Sequence, residues 1–191
     1  MSDEPDAPTS EVEKADIAVG KKIASKRHHP AVKAAASAGE FGDQGPLYAM
    51  ATGVLAVGVA SRDRRVTDCG LAMVAAIAIA DLGKRITKRL VRRTRPHVLL
   101  EEGRYDADTG GSDRKPEQSF PSGHTACTVA AARALSRHYP ETVPVAAAAT
   151  ALIGLSRIAE GKHWPLDVAA GAVIGLAAEG FSALVYEQCR R

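Results

Sequence analysis

The amino-acid sequence predicts an all-α protein, a single bundle of helices. Three observations carry this. Aromatic residues are only 4% of the chain while alanine and glycine are abundant, which disfavours a sheet built from aromatic and β-branched side chains. Five alanine-rich or otherwise apolar stretches of helical length recur, separated by Gly, Pro or charge. A hydrophobic content of 46% over 191 residues suits one domain, here 10–191, behind a tail at 1–9.

The tail is Asp, Glu, Pro and Ser with almost nothing to bury, so disorder is expected there. Ser10 followed by Glu13 is a capping-box pattern. Val12, Ile17, Val19 and Ile23 then form a modest apolar stripe, which predicts an amphipathic surface helix ending at Arg27-His28-His29-Pro30. A short helical piece over 31–38 stops at Gly39, and 42–46 is a turn. The apolar stretches follow at 47–60, 66–82, 122–137, 143–155 and 166–186. Most are shorter than the roughly 20 residues of a perpendicular span, so hydropathy fits membrane helices and a soluble alanine-rich bundle equally. Between the second and third lie a basic segment, with seven Lys or Arg among the fourteen residues 83–96, and a polar loop at 101–119.

A net charge of +3 does not suggest a nucleic-acid protein. Cys69, Cys127 and Cys189 are odd in number and far apart, fitting neither a disulfide framework nor a zinc site, so free thiols are expected and no metal. The first 45 residues lack the basic start, apolar run and cleavage site of a secretory signal, so export by that route is not expected.

Candidate chemistry gathers in three places. Lys88 and Arg95 are seven apart, on one face of a continuing helix, just before Pro96 opens the loop. Ser122 is a good N-cap for the third apolar stretch, so the amides of Gly123 and His124 suit an anion at a helix start. Arg157 precedes His163 and Asp167, which stand at i and i+4 across Pro165, so the carboxylate can reach the imidazole. Each cluster alone also fits a bland reading: a solvated basic face, an ordinary capped helix, a surface ion pair.

Together, Lys88 with Arg95-Pro96, then Pro121-Ser122-Gly123-His124, then Ser156-Arg157 with His163 and Asp167 resemble the three-part signature of the type-2 phosphatidic acid phosphatase superfamily. That family includes lipid phosphate phosphatases, bacterial acid phosphatases and vanadium haloperoxidases. The resemblance spans 88–167 and implies a metal-independent and cofactor-free phosphatase. It implies that Lys88, Arg95, Ser122, Gly123 and Arg157 hold the phosphoryl group. It further implies that His163 attacks phosphorus to give a phosphohistidine, that Asp167 orients it, and that His124 protonates the leaving oxygen.

The resemblance is to the membrane-embedded bacterial branch, which implies about five transmembrane helices plus the N-terminal surface helix. With spans near 46–60, 66–83, 122–137, 142–157 and 165–187, all three clusters fall on one face. That face holds about 18 of the 25 Lys and Arg, which favours the cytoplasmic side of the inner membrane. The expected substrate is a lipid phosphate monoester in the bilayer. Alternatives are a polyprenyl diphosphate, or a non-catalytic module binding anionic lipid; haloperoxidases are much longer soluble chains.

Overall fold

Ser10 opens the first helix, α1 (Glu11–Ala24), with its hydroxyl accepting from the Glu13 N–H at 3.1 Å. The computed structural model describes residues 10–189, so the tail at 1–9 lies outside the described residues. The buried side of α1 is Asp16, Gly20 and Ala24, spaced four apart, while Val12 and Val19 are exposed. The apolar stripe is therefore not the packing face. Gly20 sets this, because a Cβ there would collide with the Trp164 indole.

Helix α2 (Pro30–Gly39) and a single 3₁₀ turn over Glu40–Gly42 lead into α3 (Gln44–Ser61). Arg62, in the left-handed region at φ 57°, turns the chain, and Asp63 accepts from the Arg65 and Val66 N–H groups to start the 27-residue α4 (Arg64–Leu90). Helix α4 packs against α3, against α6 (Gly123–His138) and against α8 (Pro165–Cys189), and α7 (Val143–Ala159) lies on α6. The core is made of small side chains, as the composition requires. Cys69, Met73, Ala76, Ile77 and Ala80 of α4 meet Ala126, Cys127, Ala130, Ala131 and Ala134 of α6. Helix α8 comes close enough that a Cβ at Gly175 would strike the Ala126 carbonyl.

The basic segment departs from the continuous helix expected. It leaves α4 after Leu90 and becomes β1 (Val91–Arg93), antiparallel to β2 (Ala107–Thr109) with Arg92 opposite Asp108. Strand alternation sends Arg92 outward, to Asp106 and Asp108, and Arg93 inward. Pro96 then starts α5 (Pro96–Glu102), and the polar stretch at 101–119 carries the end of that helix, β2 and a 3₁₀ turn over Lys115–Glu117 between loop segments.

Three helical segments among the described residues are long and apolar enough to cross a membrane: Arg64–Leu90, Pro140–Ala159 and Pro165–Cys189. That is fewer than five, because α6 has only 16 residues and includes Arg133 and Arg137, and α3 also falls outside the set. Large apolar side chains nevertheless cover the outside of the bundle, Val57, Val145, Leu155, Val173 and Leu184 among them, as a hydrocarbon surrounding requires. The end of α4, the starts of α6 and α8 and the end of α7 share one end of the bundle. At the other end, Arg65 Nε donates to the His138 carbonyl at 2.9 Å and joins the start of α4 to the end of α6.

Candidate active site

His163 occupies the turn between α7 and α8 and is almost wholly buried. Its Nδ1 stands 2.7 Å from the Ser119 carbonyl oxygen. A carbonyl only accepts, so Nδ1 carries the hydrogen and Nε2 keeps the lone pair that a nucleophile needs. Burial lowers the pKa of the ring; Asp167 opposes this, and the charges of Lys88 and Arg95 reinforce it.

Asp167 lies beside the ring at 3.8 Å but is not its nearest partner. Its oxygens instead accept from Arg93 Nη1 at 2.8 Å, from the Trp164 N–H at 2.7 Å and from the Ser119 hydroxyl. The carboxylate thus fixes the turn that carries His163 and the Ser119 peptide that orients it. The i, i+4 spacing gives proximity, and the hydrogen bond falls to Ser119, which the sequence did not single out.

Three cations surround this turn. Lys88 Nζ donates to the Gln118 carbonyl at 2.6 Å. Arg95, at the N-cap of α5, gives its backbone N–H to Pro116, while its Nε is buried and makes no hydrogen bond among the described residues. Burial lowers the Arg95 pKa, and Asp167 offsets part of that. Arg157, 1% exposed, uses Nη2 for the Ala36 carbonyl at 3.1 Å and Glu160 at 3.2 Å, and its Nε has no hydrogen-bond partner among the described residues. These guanidinium N–H groups remain free for oxyanions. Lys88 and Arg95 meet through the end of α4, the strand and its turn, not through helical register.

Ser122 caps α6, receiving the Thr125 N–H at 3.5 Å and the Thr125 hydroxyl at 2.9 Å, which leaves its own O–H as a donor. Gly123 lets the Lys84 stem pass, since a Cβ would lie 2.8 Å from Lys84 Cδ. His124 Nε2 lies 3.5 Å from Arg157 Nη1 and 2.6 Å from Asp43 Oδ1. Arg157 therefore links the helix start to the third cluster.

Behind the site stands a buried charge network that the sequence did not disclose. Arg93 spends its donors on Asp167, on Asp16 of α1 at 2.7 Å and on the Tyr105 hydroxyl at 3.1 Å, and it stacks 5.5 Å from the Trp164 ring. Burial works against its charge, but Asp167, Tyr105 and Asp16 outweigh that and hold its pKa above the ordinary value. The second Asp16 oxygen accepts the Leu166 N–H at 2.9 Å and so serves the first turn of α8. The one available signal was Asp16 itself, a charge four residues before Gly20 and eight before Ala24 on a face of small residues.

Known proteins resemble this chain in sequence and in fold. The chain is 34% identical over 137 residues to decaprenylphosphoryl-5-phosphoribose phosphatase of Mycobacterium tuberculosis, covering 71% of this chain and 69% of that one. It is 28% identical over 120 residues to lipid A 1-phosphatase of Rhizobium etli, covering 63% of this chain and 51% of that one. Against the latter and others it thus spans about half the relative's length or less. Its fold matches the crystal structure of a transmembrane PAP2-type phosphatidylglycerolphosphate phosphatase from Bacillus subtilis, with a TM-score of 0.68 over 94% of this chain and 88% of that chain at 22% identity. Residues 70–191 match the PAP2 superfamily, and with the three clusters gathered at one end of the bundle, the chain belongs to that family.

Proposed function

We propose that the protein is an integral-membrane phosphatase that hydrolyses a lipid phosphate monoester through a phosphohistidine at His163. One observation carries the reading: a buried imidazole whose Nδ1 is tied to a carbonyl, which leaves Nε2 as the ring nitrogen for phosphorus, beside Lys88 and Arg95, whose charges lower its pKa. Lys88, Arg95 and Arg157 take the non-bridging oxygens, with Ser122 and the Gly123 amide at the helix start. Phosphoryl transfer needs chiefly positioning and charge neutralisation, which these groups supply. His163 Nε2 bonds to phosphorus as the ester P–O bond breaks, and His124 gives the leaving oxygen a proton. Water then attacks the phosphohistidine, returning a proton to His124 and releasing phosphate.

The printed activities of the mycobacterial and rhizobial relatives support a lipid-linked phosphate. We further propose that α3 and α6 cross beside the three longer apolar segments, five crossings in all. The excess of Lys and Arg at the catalytic end favours a cytoplasmic site in the inner membrane. The test is phosphate release from phosphatidate, phosphatidylglycerol phosphate, prenyl phosphates and prenyl diphosphates by purified protein, with His163→Ala alongside. Release by wild type, acid-labile protein-bound phosphate and near-complete loss in the variant are expected. Wild-type turnover in His163→Ala would remove the mechanism.

A further inference from the structure

Asp43 is a carboxylate with no structural duty of its own. It occupies the N-cap position of α3, yet its side chain makes no capping hydrogen bond. Its Oδ1 instead lies 2.6 Å from Nε2 of His124, the residue that protonates the leaving oxygen in the proposed reaction. The chain is held there from both sides: a Cβ at Gly42 would press on Ile153 and Thr128, and Arg157 holds the Ala36 carbonyl. Asp43 therefore places a negative charge against the group that serves the leaving oxygen in that reaction, with Arg157 Nη1 3.5 Å from the same ring nitrogen.

From this juxtaposition we propose that Asp43 makes the site select lipid monophosphates over lipid diphosphates. The inference rests on the phosphohistidine reading above. With a monophosphate, His163 Nε2 bonds to phosphorus, the P–O bond to the lipid breaks, and the departing alkoxide takes the place of Asp43 at His124 Nε2 and receives its proton, leaving as a neutral alcohol. With a diphosphate, the same attack on the terminal phosphorus expels a lipid phosphate, whose remaining charge sits against Asp43. Two like charges a few ångströms apart in a partly wet site disfavour that path about tenfold.

The experiment measures kcat and KM for one prenyl chain carrying either one phosphate or two, with wild type, Asp43→Asn and Asp43→Glu. Wild type should prefer the monophosphate about tenfold in kcat/KM. Asp43→Asn should cut that preference at least about threefold, chiefly by raising kcat/KM for the diphosphate, and Asp43→Glu should restore it. A loss of folding would lower both substrates alike and leave the ratio unmoved. Because Asp43 is more than half exposed, wild type supplies an independent reading: the ratio should fall about twofold from low to high salt. An unchanged ratio in Asp43→Asn, or with an inactive variant a salt-independent wild-type ratio, overturns the proposal and leaves the phosphatase reading intact. Failure of wild type to release phosphate from either lipid would instead remove that reading.

Discussion

Arg93→Met tests whether the catalytic end is held together by charge. The substitution preserves stem length but strips a buried guanidinium from two carboxylates, Asp16 and Asp167, bonded to it at 2.7 and 2.8 Å. Both carboxylates are buried, Asp167 completely, so neither can turn to water. Breaking one partner of a buried pair typically costs about 3–5 kcal/mol, because the charge left behind is desolvated and uncompensated. For a chain of this size that corresponds to a fall of roughly 6–20 °C in the unfolding midpoint. Asp16→Asn is gentler: the amide oxygen still receives the Leu166 N–H, and Arg93 retains Asp167. The double variant should lose less than the two single losses added, since the groups share one network. Trp164 is the only tryptophan, fully buried and 5.5 Å from Arg93, so its emission in a fixed detergent follows this region alone. Arg93→Met with a midpoint within about 2 °C of wild type and unshifted emission would refute the argument.

Further predictions address the chemistry and the membrane. Burial and the charges of Lys88 and Arg95 lower the His163 pKa, and only the neutral ring attacks; the acid limb of phosphoenzyme formation should therefore lie below the ordinary histidine value of about 6.5. Lys88→Met removes one lowering charge, so rapid-quench measurement should show that limb moving to higher pH along with slower formation. Turnover should survive EDTA, because three side-chain cations supply the neutralisation, and vanadate should inhibit as a mimic of five-coordinate phosphorus; complete, metal-reversible loss in EDTA would contradict this. In cells expressing a chain without Cys69, Cys127 and Cys189, Asp113→Cys should resist an impermeant maleimide and Ser61→Cys should react. The opposite labelling would turn the catalytic end outward.

The sequence disclosed what depends on local pattern. Ser10 and Ser122 marked helix starts, and the apolar stretches marked the five long helices of the bundle. Distant partners stayed hidden, because nothing near them in sequence signals them. Asp16 and Arg93 are 77 residues apart, and Ser119 and His163 are 44 apart. The strand at Val91–Arg93 was missed for a similar reason. A run of Lys and Arg reads as helix surface until a second strand sixteen residues on turns alternate side chains inward.

Helix α1 lies entirely before residue 70, where the family match begins, yet it supplies the Asp16 carboxylate to Arg93 and an amide acceptor to α8. The matched region and the working unit thus have different borders in this molecule. A fragment cut to the matched region would keep every residue proposed to touch phosphate, while opening a hole beside Trp164 and leaving Arg93 with one carboxylate in place of two. Grafting the catalytic end onto another scaffold would require carrying this remote helix along.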